Sequence, residues 1–250
     1  MTAHVAEIWR HPIKSLGAER VPSVDLVAGA TIPYDRAWAL AHEKTRFDFD
    51  APEWTPCSAF LRCSIAPQFA AISARASDDG KLTLSHPKLG EITIDPDDAA
   101  DQARLIAWVT PICPEGPGPL RLAKVSGRGM TDTDFPSVSI KSLASLRALS
   151  QRMGTTLNPR RFRGNLWLDG LVPWEEFDWV GSEITVGGAR LKVIERVERC
   201  NATKANPETG VRDADTLGAL ETHYGHKDFG IYAQVIAGAT VSEGDPVSAA

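Results

Sequence analysis

The amino-acid sequence predicts a mainly β protein with a few helices, built as two β-rich domains packed together. Three observations carry this reading. The apolar runs are short and punctuated, which suits strands better than helices. Several of them meet at tight turns rich in Asp and Gly, residues that tolerate positive φ. A proline-dense break then divides the 250 residues near their middle.

In the first part, residues 5–9, 24–27 and 37–41 are candidate strands. Residues 69–77 and 81–85 flank Asp78, Asp79 and Gly80, a hairpin signal, and residues 91–94 follow at short spacing. Pro111, Pro114, Pro117 and Pro119 come next. Proline removes amide donors and fixes φ, so residues 111–119 form no central strand or helix. This stretch is the expected connector between domains at 1–105 and 106–250, with a long surface loop inside one domain as the alternative. Beyond it lies one clear helix. Ser142 can cap it, Leu143, Leu146, Leu149 and Met153 make an apolar stripe, and Gly154 can end it. Strands are expected at 165–169, 183–186 and 189–197, the last two joined by Gly187 and Gly188. Residues 217–224 suit a short helix, and 231–237 a buried strand.

Composition narrows the function classes. With 43% hydrophobic and 24% charged residues, the chain is neither disordered nor fibrous. No stretch reaches the ~18 apolar residues of a membrane-spanning helix. Residues 1–16 lack the apolar core of a secretory signal, so the expected location is cytoplasmic, without a membrane partner. A net charge of -5 argues against a nucleic-acid partner. Cys57, Cys63, Cys113 and Cys200 show no C-x-x-C or zinc-finger spacing. His223 and His226 could share a helix turn, but two ligands without a third make no metal site.

Three clusters carry candidate chemistry. Lys14 and Ser15 follow Pro12 on a turn after the first strand, and both can donate to an anion. A solvated loop lysine is the plain alternative. Arg160, Arg161 and Arg163 stand at a helix-to-strand connection with Gly164 and Asn165. Arginine forks bind carboxylate or phosphate bidentately. A solvated basic turn paired with the acids of residues 95–101 fits the charge pattern equally well. Arg199, Cys200 and Asn201 follow a strand; a thiol beside an arginine suits a thiophilic metal. A buried, inert cysteine is the alternative.

Taken in order, these clusters make the chain resemble the MOSC family, named for the C-terminal part of molybdenum cofactor sulfurases. The resemblance runs through Arg161-Phe162-Arg163-Gly164-Asn165, Trp179-Val180-Gly181, Gly187-Gly188, Arg199-Cys200-Asn201-Ala202-Thr203 and Asn206-Pro207-Glu208-Thr209-Gly210. It ends at Phe229-Gly230-Ile231-Tyr232 and Gly244-Asp245-Pro246-Val247. The first hundred residues resemble the β-barrel domain that often precedes MOSC, through Pro12-Ile13-Lys14-Ser15-Leu16 and Tyr34-Asp35-Arg36-Ala37-Trp38. Gly164 stands where many members have proline, Asn206 where many have aspartate, and residues 47–54 depart from the usual arginine-bearing strand.

The resemblance implies a β-barrel, MOSC-like fold and a molybdenum cofactor (molybdopterin). The chain is similar to amidoxime-reducing molybdoenzymes, in which a cysteine thiolate ligates the metal at the position Cys200 matches. Lys14, Ser15, Arg36, Arg163, Asn165 and Arg199 match the residues that hold the pterin and its phosphate, with Ser137 and Ser139 as further candidates. The implied activity is reduction of N-hydroxylated compounds, with Cys200 both metal ligand and catalytic residue. No iron–sulfur or flavin signature stands in the sequence and no ferredoxin-like tail is expected, so a separate electron-donor protein or reductase is the expected partner. The alternative is a cofactor or sulfur carrier that uses Cys200 without redox turnover.

Overall fold

The computed structural model describes residues 2–249. In chain order its elements are β1 (His4–Arg10), β2 (Ile13–Lys14), β3 (Glu19–Val21), β4 (Ser23–Asp25), β5 (Trp38–His42), β6 (Ser73–Ala76), β7 (Leu82–His86), β8 (Gly90–Ile94) and α1 (Ala99–Val109). There follow β9 (Pro119–Ala123), β10 (Val138–Ser142), α2 (Leu143–Met153), β11 (Leu166–Asp169), β12 (Glu183–Val186), β13 (Ala189–Glu198), α3 (Thr216–Tyr224), β14 (Asp228–Ala237), β15 (Thr240–Ser242) and β16 (Val247–Ala249). The mainly-β expectation holds. Strand pairing closes no sheet into a ring among the described residues. No helix among them is long and apolar enough to cross a membrane.

An eight-stranded sheet runs in the order β16-β12-β13-β14-β10-β11-β1-β3, with β10 and β11 its one parallel pair. Two three-stranded sheets, β2-β5-β9 and β6-β7-β8, form the other unit. The chain does not fill these sheets in sequence order. β1 and β3 join the large sheet, whereas β9 pairs with β5. The β1–β2 turn therefore crosses from the large sheet to a small one, and residues 124–137 cross back. Both crossings lie on the seam between the two units.

Each unit buries its own core. Val5, Ile8, Leu168, Leu191 and Ile231 fill the large sheet, and Ile13, Leu16, Phe69, Leu84 and Leu105 fill the smaller unit. Each such side chain contributes about 1.5–3 kcal/mol through burial. A third cluster lies under α2 and α3, where Phe162 stacks on Phe229 with centroids 4.0 Å apart.

Helix α2 forms as the sequence predicts. Ser142 Oγ accepts from Ser145 N at 3.3 Å, and Gly154 ends it at φ 65°. Residues 111–119 make no central strand, and Pro119 opens β9 on a sheet edge where no ladder donor is needed. The stretch joins α1 to β9 inside the smaller unit, and the crossing to the large sheet comes later, at residues 124–137. Seven elements, β2, β3, α1, β9, β10, β15 and β16, have no counterpart in the sequence prediction. α1 is capped by Asp98, whose side chain accepts from Asp101 N at 2.9 Å, and it buries Leu105 and Val109. β10 lies in the middle of the large sheet and is buried at every position, polar ones included.

Those buried polar groups are partnered. Lys141, fully buried, donates from Nζ to Phe229 O at 2.8 Å. Burial pulls its pKa well below the usual lysine value, and the charges of Arg199 and Arg36 act in the same direction. Ser145 Oγ lies 2.9 and 3.0 Å from the two carboxylate oxygens of buried Glu176. Burial pushes the Glu176 carboxyl up to about 7.

Candidate functional site

The seam holds a cleft of about 460 Å³. The β1–β2 crossing delivers Lys14 and Ser15 to it, and the loop before β5 delivers Arg36. From the large sheet come Ser139 on β10, Tyr232 on β14, and the end of β13 with Glu195, Arg196, Glu198, Arg199 and Cys200. Arg163 enters from the turn after the short 3-10 helix Pro159–Phe162. Asp132 and Thr133 come from the returning crossing, and Cys57, Arg62, Cys63 and Ser64 from the loop after β5.

Three of these residues sit in the left-handed region: Ser15 at φ 68°, Arg36 at 53° and Arg163 at 47°. Such backbone costs a non-glycine residue on the order of 1–3 kcal/mol and persists only where its surroundings enforce it. Here they do. Arg36 N donates to His11 O at 2.7 Å, and Arg36 Nη2 to Arg163 O at 3.0 Å. Arg163 Nη1 in turn donates to Gly17 O at 3.1 Å. Two of these three residues are arginines, and the concentration of strain in one cleft makes it the candidate functional site.

The electrostatics are strongly cationic. Lys14 is 4% exposed; its Nζ donates to Met130 O at 2.8 Å and ion-pairs with Asp132. The Asp132 side chain is half exposed by surface area yet enclosed by the cleft walls. Desolvation pushes its pKa up, but Lys14, Arg36 and Arg199 reverse this and hold it at about 2. Arg36 pairs with buried Asp35, which itself accepts from His11 N at 2.8 Å. Burial pulls Arg163 down to about 10, so it remains charged at neutral pH. Arg199 Nη2 donates to Phe162 O at 3.0 Å. Arg163 Nη2, Arg199 Nε and Arg62 Nε are buried with no partner. Unmet donors on charged side chains are costly, and an anion would satisfy them.

Cys200 is exposed, and its carbonyl begins the 3-10 turn Asn201–Lys204 by accepting from Thr203. Cys63 differs. It is 2% exposed, its Sγ donates to Ser15 O at 3.0 Å, and burial pushes its pKa up. Of the three cleft thiols, Cys200 is exposed, Cys57 partly buried and Cys63 buried.

Lys14, Ser15, Arg36, Ser139, Arg163, Arg199 and Cys200 come together as the sequence suggested. Two candidates do not. Asn165 is 1% exposed; its Oδ1 accepts from Ser139 N and Oγ at 3.0 and 2.9 Å, and its Nδ2 donates to Trp9 O at 3.1 Å. It positions Ser139 and lines nothing. Ser137 is 2% exposed and accepts from Thr133 Oγ1 at 2.8 Å, behind the cleft wall. Ser139 spends its hydroxyl proton on Asn165 Oδ1 and already accepts from Asn165 N at 3.1 Å, so it offers the cleft one remaining acceptor lone pair, suited to a ring N–H, and no donor for phosphate.

The arginine cluster also divides. Arg161 is buried against Asp213 and Lys204 O, a structural pair. Arg160 reaches Ile72 O at 3.4 Å, outside the cleft. Only Arg163 enters it. The acids of residues 95–101 stay local: Asp97 binds Lys124 and Trp38, and Asp101 binds Arg104. His226 packs against Trp174, Phe177 and Tyr224. Residues 47–54 supply no cleft lining; Phe47 packs on Phe60, and Trp54 donates to Thr131 O at 3.0 Å. Arg62, Asp132, Glu195, Glu198 and Tyr232 escaped the sequence reading, since tertiary crossings and strand alternation alone bring them in.

Among the described residues no group of three or more His, Cys, Asp or Glu could hold a metal ion. A metal bound by Cys200 would need further ligands from a cofactor. The soft thiol and the unpartnered arginine donors fit an anionic group bearing a thiophilic centre.

Comparison with known proteins agrees with this geometry. Mitochondrial amidoxime reducing component 2 of Bos taurus is 32% identical over 126 residues, covering 46% of this chain and 37% of that protein. Mitochondrial amidoxime-reducing component 1 of Mus musculus is 23% identical over 279 residues, covering 97% and 81%. Molybdenum cofactor sulfurase of Drosophila grimshawi is 25% identical over 249 residues, covering 89% of this chain but 31% of the fly protein. The alignments thus span well under half of the bovine and fly relatives. The family model of the MOSC N-terminal beta barrel domain matches residues 2–110, and that of the MOSC domain matches residues 131–248. With the strained, cation-lined cleft lying between those two matched regions, the chain belongs to the MOSC family.

Proposed function

We propose that the cleft binds a pterin-type molybdenum cofactor with Cys200 as the protein ligand to the metal, and that the chain reduces N-hydroxylated compounds with electrons from a separate donor protein. One observation carries the reading: an exposed thiol opens onto the same cleft as the unpartnered nitrogens of Arg163 and Arg199. The amidoxime-reducing and sulfurase relatives support it. The bound cofactor supplies the two-electron redox chemistry that breaks the N–O bond.

The chain's own residues do the rest. Lys14, Arg36 and Arg163 would hold the phosphate with positive charge. The left-handed backbones of Arg36 and Arg163 and the hydrogen bond between them, with Lys14 tied to Met130 O and Asp132, preorganise the set, so little ordering cost remains on binding. Ser139 accepts a ring N–H, and Asn165 fixes its hydroxyl in that direction. Arg199 sets positive charge beside Cys200, where an anionic cofactor would sit. Tyr232 lines the cleft; burial pushes its pKa up, so its hydroxyl stays protonated and donates a hydrogen bond to bound substrate.

The test is turnover of benzamidoxime by molybdenum-loaded protein with a reduced viologen dye as donor. Amidine formation that depends on the metal is the expected result. Absence of turnover by fully loaded protein overturns the reductase reading and selects the second one, a cofactor or sulfur carrier. Residues 47–54, which supply none of the cleft lining, favour that second reading.

A further inference from the structure

Arg62 differs from every other cation in the cleft. Lys14 is paired with Asp132 and Arg36 with Asp35. Arg196 lies 4.0 Å from Asp228 and stacks over Phe177 at 4.3 Å. Arg163 and Arg199 each spend nitrogens on backbone carbonyls. Arg62 has no carboxylate at ion-pair distance among the described residues. Its one contact is from Nη1 to Cys57 Sγ at 3.5 Å, and a thiol is a weak acceptor. Its Nε is buried without a partner.

The segment bearing Arg62 is held in place. Cys63 Sγ donates to Ser15 O at 3.0 Å, and Arg212 Nη2 donates to Ser64 O at 2.6 Å, joining the segment to the loop beyond Cys200. A fixed, half-buried guanidinium with an unmet fork is preorganised for a planar oxyanion.

We propose that Arg62 is a specificity-determining residue, and that the preferred substrates are N-hydroxylated compounds carrying a carboxylate. The carboxylate takes the Arg62 fork in place of the Cys57 thiol. This rests on the reductase reading above and narrows its substrate class.

The test compares benzamidoxime with 4-carboxybenzamidoxime on the molybdenum-loaded full chain. Calorimetry without reductant is expected to show the carboxylated compound binding about 10- to 100-fold tighter, the range of a charge-assisted bidentate pair. The same ratio is expected in KM, with kcat little changed. Arg62→Met erases the preference, and Arg62→Lys keeps part of it, retaining the charge without the fork. Equal binding of the two compounds by the wild type, or a preference that survives Arg62→Met, overturns the proposal. Loss of molybdenum from folded Arg62→Met protein also overturns it, by assigning Arg62 to the cofactor. If neither compound is reduced, the reductase reading fails, and the calorimetric ratio still decides whether Arg62 binds the carboxylate.

Discussion

Gly164→Ala probes how tightly the seam is packed beside Arg163. Gly164 lies outside the left-handed region, so alanine is allowed by its backbone. Space is the obstacle. An added Cβ would fall well inside van der Waals contact of Lys141 Cγ and 3.0 Å from Trp167 Nε1. Lys141 cannot yield. It is fully buried, its Nζ is tied to Phe229 O, and Gly230 abuts its stem on another side. Overpacking of this kind costs about 1–3 kcal/mol. Reduced freedom of the unfolded chain returns about 0.4–1 kcal/mol on replacing glycine by alanine. The net expectation is a loss of about 1–2 kcal/mol by the same principles. In a Lys141→Ala background the main obstacle is gone, and Gly164→Ala should be neutral or stabilising. Urea unfolding of the four proteins measures the coupling. Additivity within about 0.5 kcal/mol refutes the packing argument. This packing also explains why glycine stands where many family members have proline.

Three further outcomes follow from the same contacts. Between its ordinary 4.5 and its raised value of about 7, Glu176 keeps a proton in the folded chain that the unfolded chain releases. Stability therefore falls as pH rises through that window, by about 3 kcal/mol in all, and Glu176→Gln flattens the slope in a pH series of unfolding curves. Arg161→Met breaks the pair with Asp213 and lowers unfolding stability by about 1–3 kcal/mol, while molybdenum per folded chain is unchanged. Arg163→Met should do the reverse: stability nearly intact, and cofactor affinity down about 10- to 100-fold in a reconstitution titration.

Local signals account for what the sequence revealed of the fold. Ser142, the leucine stripe and Gly154 specify α2 within its own few residues, and the turns at Asp78 to Gly80 and at Gly187 specify two hairpins. β10 was not legible because Ser139, Lys141 and Ser142 break its apolar pattern; Ser139 and Lys141 are satisfied by tertiary partners and Ser142 by capping α2. α1 bunches its apolar residues near its C-terminal end, so no helical stripe stands out.

The site divides in the same way. Cys200, Arg199, Arg163, Arg36 and Lys14 stand in ordered motifs, so the family resemblance reached them. Asn165 was misread because an amide adjoining an arginine cluster looks like a ligand, whereas its partners are Ser139 and Trp9. Asp132 and Arg62 reach the cleft only through the folded paths of residues 124–137 and the loop after β5. No spacing in the chain encodes such placements.

The central claim is that Cys200 bonds a molybdenum centre whose anionic cofactor the arginines hold. Elemental analysis of protein purified from a cofactor-making host tests it most directly, in wild type and in Cys200→Ser. About one molybdenum per chain is expected in the wild type, with a marked loss in a Cys200→Ser protein that unfolds at the same urea concentration. Wild-type protein free of molybdenum, or a Cys200→Ser variant that retains it in full, would contradict the account.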